Sequence, residues 1–346
     1  MKKIFVAMLA LAAATACSND ELVSVNREAI GFDNAFINNS VRSVETPGYS
    51  QSNMFNDFAV YGFVEGASLF NGVKVSKNGS GLDAGKYAGQ TSTDWKYEGT
   101  QYWIAGANYD FYAVAPFNGG WSVKTGTTPS DAGAILSFTT TDGNQDLLYA
   151  PIVAREGALQ GNVAVAFTFK HILSKVKFSF KNGYNASAAT IRVKNINITN
   201  AYATGEATLA AAATWDNQSG TKAIAFGNAA EAATDADYDY AFGTTVESYS
   251  ERLLIPGAVT NGYNVTFTVE LLVSGQKVAT YNHTAKATID FQPGQSYDIT
   301  AEITASNIDP EHSQEAIEFT VTKIEDWTEN NTSVNIPEVN TPATGA

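Results

Sequence analysis

Two short acidic runs are the first places in this chain where chemistry could sit. Asp235, Asp237 and Asp239 alternate as carboxylates do at the opening of a calcium loop, and Asp142, Asn144 and Asp146 repeat that spacing. Such a loop needs glycine at its sixth place and glutamate at its twelfth. The first run has Tyr240 and Val246 there, and the second has Leu147 and Val153. Both read as solvated loop carboxylates, and no metal or cofactor is expected. The chain has 3 histidines, His171, His283 and His312, and no Gly-x-Ser-x-Gly elbow to present a serine nucleophile. His171 stands beside Lys170, where the alternation of apolar residues changes parity. This inventory points away from an enzyme.

Aromatic side chains offer a different chemistry, stacking on sugar rings. Trp95, Tyr97, Tyr102, Trp103 and Trp121 crowd one glycine-spaced region. Tyr102 and Trp103 belong to a segment with a family resemblance, set out below, that implies a place in the core. Trp95 and Trp121 border loops and are the candidate glycan platform.

The composition limits what must position these groups. The 346 residues carry a formal net charge of −14, which excludes nucleic acid as a main partner. With 19 Phe, 16 Tyr and 44% hydrophobic residues there is ample material for packed cores. The 1 cysteine rules out an intrachain disulfide or a cysteine-based zinc cage.

That cysteine closes a leader. Lys2 and Lys3 supply positive charge, Ile4–Ala14 an apolar run too short to span a bilayer, and Thr15-Ala16 small residues before Cys17. The stretch Leu11–Ala16 before Cys17 resembles the lipobox of bacterial lipoproteins, with Ala14 where a branched residue is usual. The resemblance implies cleavage between Ala16 and Cys17 and acylation of Cys17, with acyl chains holding the protein at a membrane. Ser18-Asn19-Asp20-Glu21 resembles the acidic signal that sends lipoproteins of Bacteroidetes to the outer face of the outer membrane.

Beyond the leader, period two dominates. Val265, Phe267, Val269 and Leu271 alternate with Thr266, Thr268 and Glu270, and Ser274-Gly275-Gln276 follows as a turn. Tyr109, Phe111, Ala113 and Ala115 line another strand, as do Tyr297, Ile299, Ala301 and Ile303 after Pro293-Gly294. From Val163 to Phe180 the apolar positions switch from odd to even near Lys170–Ile172, so the chain carries an extra residue there, as a bulge or a change of packing partner. Many short strands and poor helical signals give an all-β chain of two β-sandwiches. The expected divisions are a signal peptide over 1–16, a tether over 17–29, sandwiches over 30–160 and 161–329 joined near Glu156–Asn162, and a tail over 330–346.

Several segments together resemble the fimbrillin-like (Mfa-like) lipoproteins of Bacteroidales, the subunits of type V pili. They are Tyr102-Trp103, Tyr109–Pro116, Asp146–Ala150, Phe167–Phe178, Leu253–Gly257, Phe291–Tyr297 and Ile324–Trp327. The resemblance implies two tandem transthyretin-like (Greek-key) domains and a cell-adhesion function at the surface or in a fimbrium. It also implies assembly by strand exchange. A protease cuts an early loop after arginine or lysine, the first strand leaves, and its groove takes a strand from the next subunit, a copy or a related fimbrillin. Ala29–Ile37 is the candidate first strand, with Ile30, Phe32 and Phe36 on one face. Arg42, followed by Ser43, is the candidate cleavage site, since Arg27 precedes the strand. Val334, Ile336 and Val339 in the tail could donate, although Pro337 limits a ladder. Stalk and tip positions, and a host or microbial surface ligand, both stay open. The alternative is a monomeric glycan-binding surface lipoprotein for polysaccharide capture.

Overall fold

The alternation becomes strands throughout the computed structural model, which describes residues 28–37, 55–90, 94–124, 134–186, 189–226, 240–247 and 251–326. The chain is all-β: no α-helix occurs among the described residues. Seven strands close a barrel: β1 (Phe32–Ile37), β2 (Asp57–Val64), β3 (Ala67–Lys77), β4 (Trp95–Tyr97), β5 (Asn108–Ala115), β8 (Leu148–Glu156) and β9 (Val165–His171). Around the barrel the order is β1-β4-β3-β2-β5-β8-β9. Between β5 and β8 the chain leaves it as β6 (Trp121–Val123) and β7 (Ala134–Thr139).

The rest forms two facing sheets. One holds β10 (Ser174–Gly183), β14 (Thr245–Glu247), β15 (Arg252–Leu254), β20 (Gln295–Thr304) and β21 (Phe319–Asp326), with β10 and β20 parallel. The other holds β11 (Ala189–Leu209), β12 (Thr214–Phe226), β13 (Tyr240–Ala241), β17 (Tyr263–Val273) and β18 (Gln276–Ala287), and β7 and β6 extend it. A small ribbon pairs β16 (Gly257–Ala258) with β19 (Asp290–Phe291). The expected turn after β17 is a two-residue hairpin in which Ser274 and Gly275 both take positive φ, matching the twist of the flanking strands.

Three clusters of buried side chains hold the layers. Phe32, Phe70, Tyr97, Phe111 and Phe167 fill the barrel, while Val265, Phe267, Val269, Ile299 and Ile303 fill the space between the facing sheets. A third cluster lies between the two units. Tyr61, Tyr112 and Tyr149 on the outer face of the barrel meet Leu136, Phe138, Leu209 and Trp215. Strand β5 is therefore covered on both faces, which explains why Tyr109–Ala115 is nearly continuous in apolar residues.

The chain crosses between units at Ile172–Leu173, not at Glu156–Asn162. Strand β9 lies beyond the expected junction, yet it pairs with β1 and β8, and its Val165, Phe167 and Phe169 fill the barrel. The odd-to-even switch marks the passage from one core to the next. Ile172 and Leu173 are both buried in the third cluster, and Trp215 Nε1 donates to the Ile172 carbonyl at 2.6 Å.

Candidate functional site

Strand β1 lies between β9, to which it runs parallel, and β4, which it meets antiparallel at Phe32 and Trp95. At its start Ile30 and Phe32 alternate with Gly31 and Asp33, which suits a strand with one face in a barrel. Ile30 and Phe32 are completely buried. The Phe32 ring stacks on Phe167 at 5.9 Å and meets Phe70 and Tyr97 edge-on at 5.4 Å and Phe111 at 6.0 Å. Glycine at position 62 makes room for two of these rings, since a Cβ there would sit 2.7 Å from Phe70 and 2.8 Å from Phe111.

The inward pattern departs from strict alternation. Ala35, expected on the outer face, is buried in the barrel core, because the register with β9 shifts between Asp33 and Phe36. Three steps along β1 match two along β9, so β1 carries one extra residue there. The Phe36 side chain lies outside the described residues.

Polar groups fix the start of this segment. Ile30 N donates to Gln101 O at 2.8 Å, Val165 N donates to Gly31 O at 2.8 Å and Trp103 N donates to Glu28 O at 3.0 Å. The Tyr97 hydroxyl donates to Ile30 O at 2.8 Å and accepts from Gln101 N at 3.0 Å. Burial raises the pKa of that phenol well above its ordinary value, so it stays protonated and able to donate. The Glu28 carboxylate accepts from Gly161 N at 2.8 Å, Asn162 N at 2.7 Å and Asn162 Nδ2 at 2.8 Å. Those bonds, Gly161 first, hold its pKa below the usual carboxylate value. No local motif announces the role of Glu28 or the bond from Tyr97 to Ile30, since those partners are far away in sequence.

The other candidate residues are scattered. Trp95 is 4% exposed and packs on Phe58 at 5.0 Å and Phe55 at 6.2 Å, so it cannot offer a face to a sugar. Its strand pairs with both β1 and β3, which puts the indole in the barrel and not beside a loop. Trp121 is half-buried, and its Nε1 donates to Pro116 O at 2.7 Å. Trp103 is in the core as expected, whereas Tyr102 is 45% exposed. Ala16, Cys17, Arg42, Ser43, the run Asp235–Asp239 and the tail over 330–346 lie outside the described residues.

Asp146 lies on the loop before β8 but is not solvated. It is buried and receives Leu147 N at 2.8 Å, and its Oδ2 lies 3.0 Å from His171 Nδ1. Asp142 instead closes a local turn by accepting from Asn144 N at 2.9 Å, a bond that lowers its pKa. Among the described residues no group of three or more His, Cys, Asp or Glu could hold a metal ion. His312 Nδ1 lies 3.0 Å from Asp309 Oδ2. His283 is buried and stacks on Phe267 at 5.1 Å, and its Nε2 has no hydrogen-bond partner among the described residues. It borders a groove of about 610 Å³ that Asn307, Glu315, Ile317 and Phe319 also line.

The sequence profile described as Fimbrillin-like matches residues 52–327, most of the chain. The chain belongs to the fimbrillin-like family. A fimbrial protein from Bacteroides vulgatus shares the fold of this fimbrillin-like chain. The TM-score is 0.57 and identity 14%, over 88% of this chain and 100% of that one. A candidate cell adhesion protein from Bacteroides uniformis is 20% identical over 88% of this chain and 99% of its own, with a TM-score of 0.48. No curated protein matches the fimbrillin-like chain. Within the matched residues lie β2–β21, while β1 precedes them.

Proposed function

We propose that this fimbrillin-like protein is a surface lipoprotein that serves cell adhesion as a stalk or tip subunit of a type V pilus, joined to its neighbours by strand exchange. The observation that carries the reading is the seat of β1. It is the first described strand, it fills an aromatic pocket with Phe32, and its loss would open the barrel between β4 and β9. Such a gap bares backbone N–H and C=O groups beside an apolar slot, which a strand from another subunit can satisfy. Head-to-tail repetition of that contact does not close and so builds a filament.

In this reading Cys17 carries the lipid, Arg42–Ser43 is the cut that frees residues up to Arg42, and the partners are copies of the chain or related fimbrillins. The tandem transthyretin-like description of the two units and an outer-membrane, cell-surface location belong to the same proposal. A structural and not an enzymatic role agrees with the family. N-terminal sequencing of assembled material tests it: the expected first residue is Ser43, and an intact Cys17 end in polymers overturns strand exchange.

The glycan-capture reading now rests on Trp121, the half-buried one of the two platform tryptophans. A glycan array probed with the native protein and with Trp121→Ala tests it, and no binding by the native protein ends it.

A further inference from the structure

The end of the barrel at which β1 begins carries four exposed apolar side chains. Tyr102 and Ile104 are each 45% exposed, Val163 is 68% and Leu159 71% exposed. They belong to two loops that Glu28 ties together. Its carbonyl accepts from Trp103 N, its carboxylate accepts from Gly161 N and Asn162 N, and the next residue, Ala29, pairs with Tyr102. The loops also bind each other, with Gly106 N donating to Gly157 O at 2.8 Å and Gly157 N donating to Ala107 O at 2.9 Å. Their backbones are thus pinned in place while the apolar tips face outward. Clustered exposed apolar groups of this kind mark an interaction surface.

The sequence next to the patch says what it meets. Glu28 is eleven residues from Cys17, a span of at most about 40 Å at full extension. An acylated Cys17 would hold this end of the barrel within that distance of the bilayer at all times, so even a weak apolar contact is strongly favoured by effective concentration. The side chains suit such a contact: aliphatic tips enter the boundary between headgroups and acyl chains, and a tyrosine sits at headgroup level. Glu65, which accepts from Asn108 N, and Glu156, paired with Asn108, add negative charge at the same end. That charge favours a zwitterionic headgroup over an anionic one.

We propose that, before processing, the barrel end formed by Tyr102, Ile104, Leu159 and Val163 rests on the surface of the membrane that holds the lipid. The proposal rests on acylation of Cys17, and the test separates the two. Full-length acylated protein carrying Leu159→Cys is labelled with an environment-sensitive dye and reconstituted in phosphatidylcholine–phosphatidylethanolamine vesicles. Val278→Cys, on the far unit and 57% exposed, serves as reference. A nitroxide-bearing lipid should quench the dye at 159 several-fold more than at 278, and adding Tyr102→Ser with Ile104→Ser should reduce the difference.

Equal quenching at both positions, with mass spectrometry showing an acylated Cys17, overturns the docked end and leaves the anchor standing. An unacylated Cys17 removes the anchor and this inference with it. A dye at 159 shielded only in detergent-dispersed multimers makes the patch a joint between subunits and also overturns the proposal.

Discussion

The hydroxyl of Tyr97, on β4, donates to the carbonyl of Ile30, just ahead of β1, across 2.8 Å of barrel interior. Both groups are buried, and Gln101 N donates to the same hydroxyl. Replacing Tyr97 with Phe keeps the ring against Phe32 and Phe70 and strands the Ile30 carbonyl and the Gln101 amide. The expected loss is about 1–3 kcal/mol per buried group left unpaired. Urea unfolding should show it, and hydrogen exchange should place the faster opening at residues 28–32. Unchanged exchange there would mean that Tyr97 does not hold the strand.

Phe32 is expected to be the main apolar anchor of β1. Phe32→Ala should cost about 3–5 kcal/mol, the usual range for a buried phenylalanine. The same anchor can be read in trans. A chain beginning at Ser43 should bind a synthetic peptide of residues 28–37, and the Phe32→Ala peptide should bind at least about 100-fold more weakly. Equal affinity of the two peptides would show that the pocket does not select the ring.

Asp146 and His171 form a buried contact at the passage from the barrel to the second unit. Asp146→Ala removes the acceptor of Leu147 N as well as the partner of the imidazole. A loss of about 1–3 kcal/mol is expected for the buried Leu147 amide left unpaired. The double variant with His171→Ala should lose clearly less than the sum of the single changes in denaturant titrations, as contacting residues do. Additive losses would show that the two side chains act independently.

His283 gives the second unit a pH dependence of known sign. Burial pushes its pKa below the ordinary value, against a raising influence from a backbone hydrogen bond at Ile308 and from Asp309. The unfolded chain therefore binds the proton at higher pH than the folded one. This contribution to stability is complete above the unfolded value of about 6.5 and is lost as pH falls from there through the folded pKa. The thermal midpoint should drop between pH 7 and pH 5, and His283→Phe, which keeps the stack on Phe267, should flatten that slope. A variant with the same slope would assign the dependence to other groups.

Much of this architecture was legible because strand alternation is a local property. The inward faces of β17 and β20 follow directly from Val265–Leu271 and Tyr297–Ile303. The change of parity at Lys170–Ile172 correctly marked a change of packing partner. The junction between the units was misplaced because Glu156–Asn162 has the polar, glycine-bearing composition of a linker, while its role is to cap one end of the barrel around Glu28. Burial of Trp95 and exposure of Tyr102 depend on which strands β4 joins, and nothing in a single sequence states that. The extra residue in β1 was invisible for the same reason. It is a mismatch with β9, which lies more than a hundred residues away.

Strands β6 and β7 arise within the barrel sequence, between β5 and β8, yet β7 pairs with β11 over residues 134–139. The chain then returns to the barrel and leaves it through Ile172 and Leu173, both buried in the third cluster. Mechanically, the two units are spliced and not hinged. Swinging one against the other would require unzipping a backbone ladder and exposing an aromatic layer at once. A tensile load on one unit is therefore passed to the other through a stiff splice, and a chain of such molecules would bend at the contacts between them before it bent within any one.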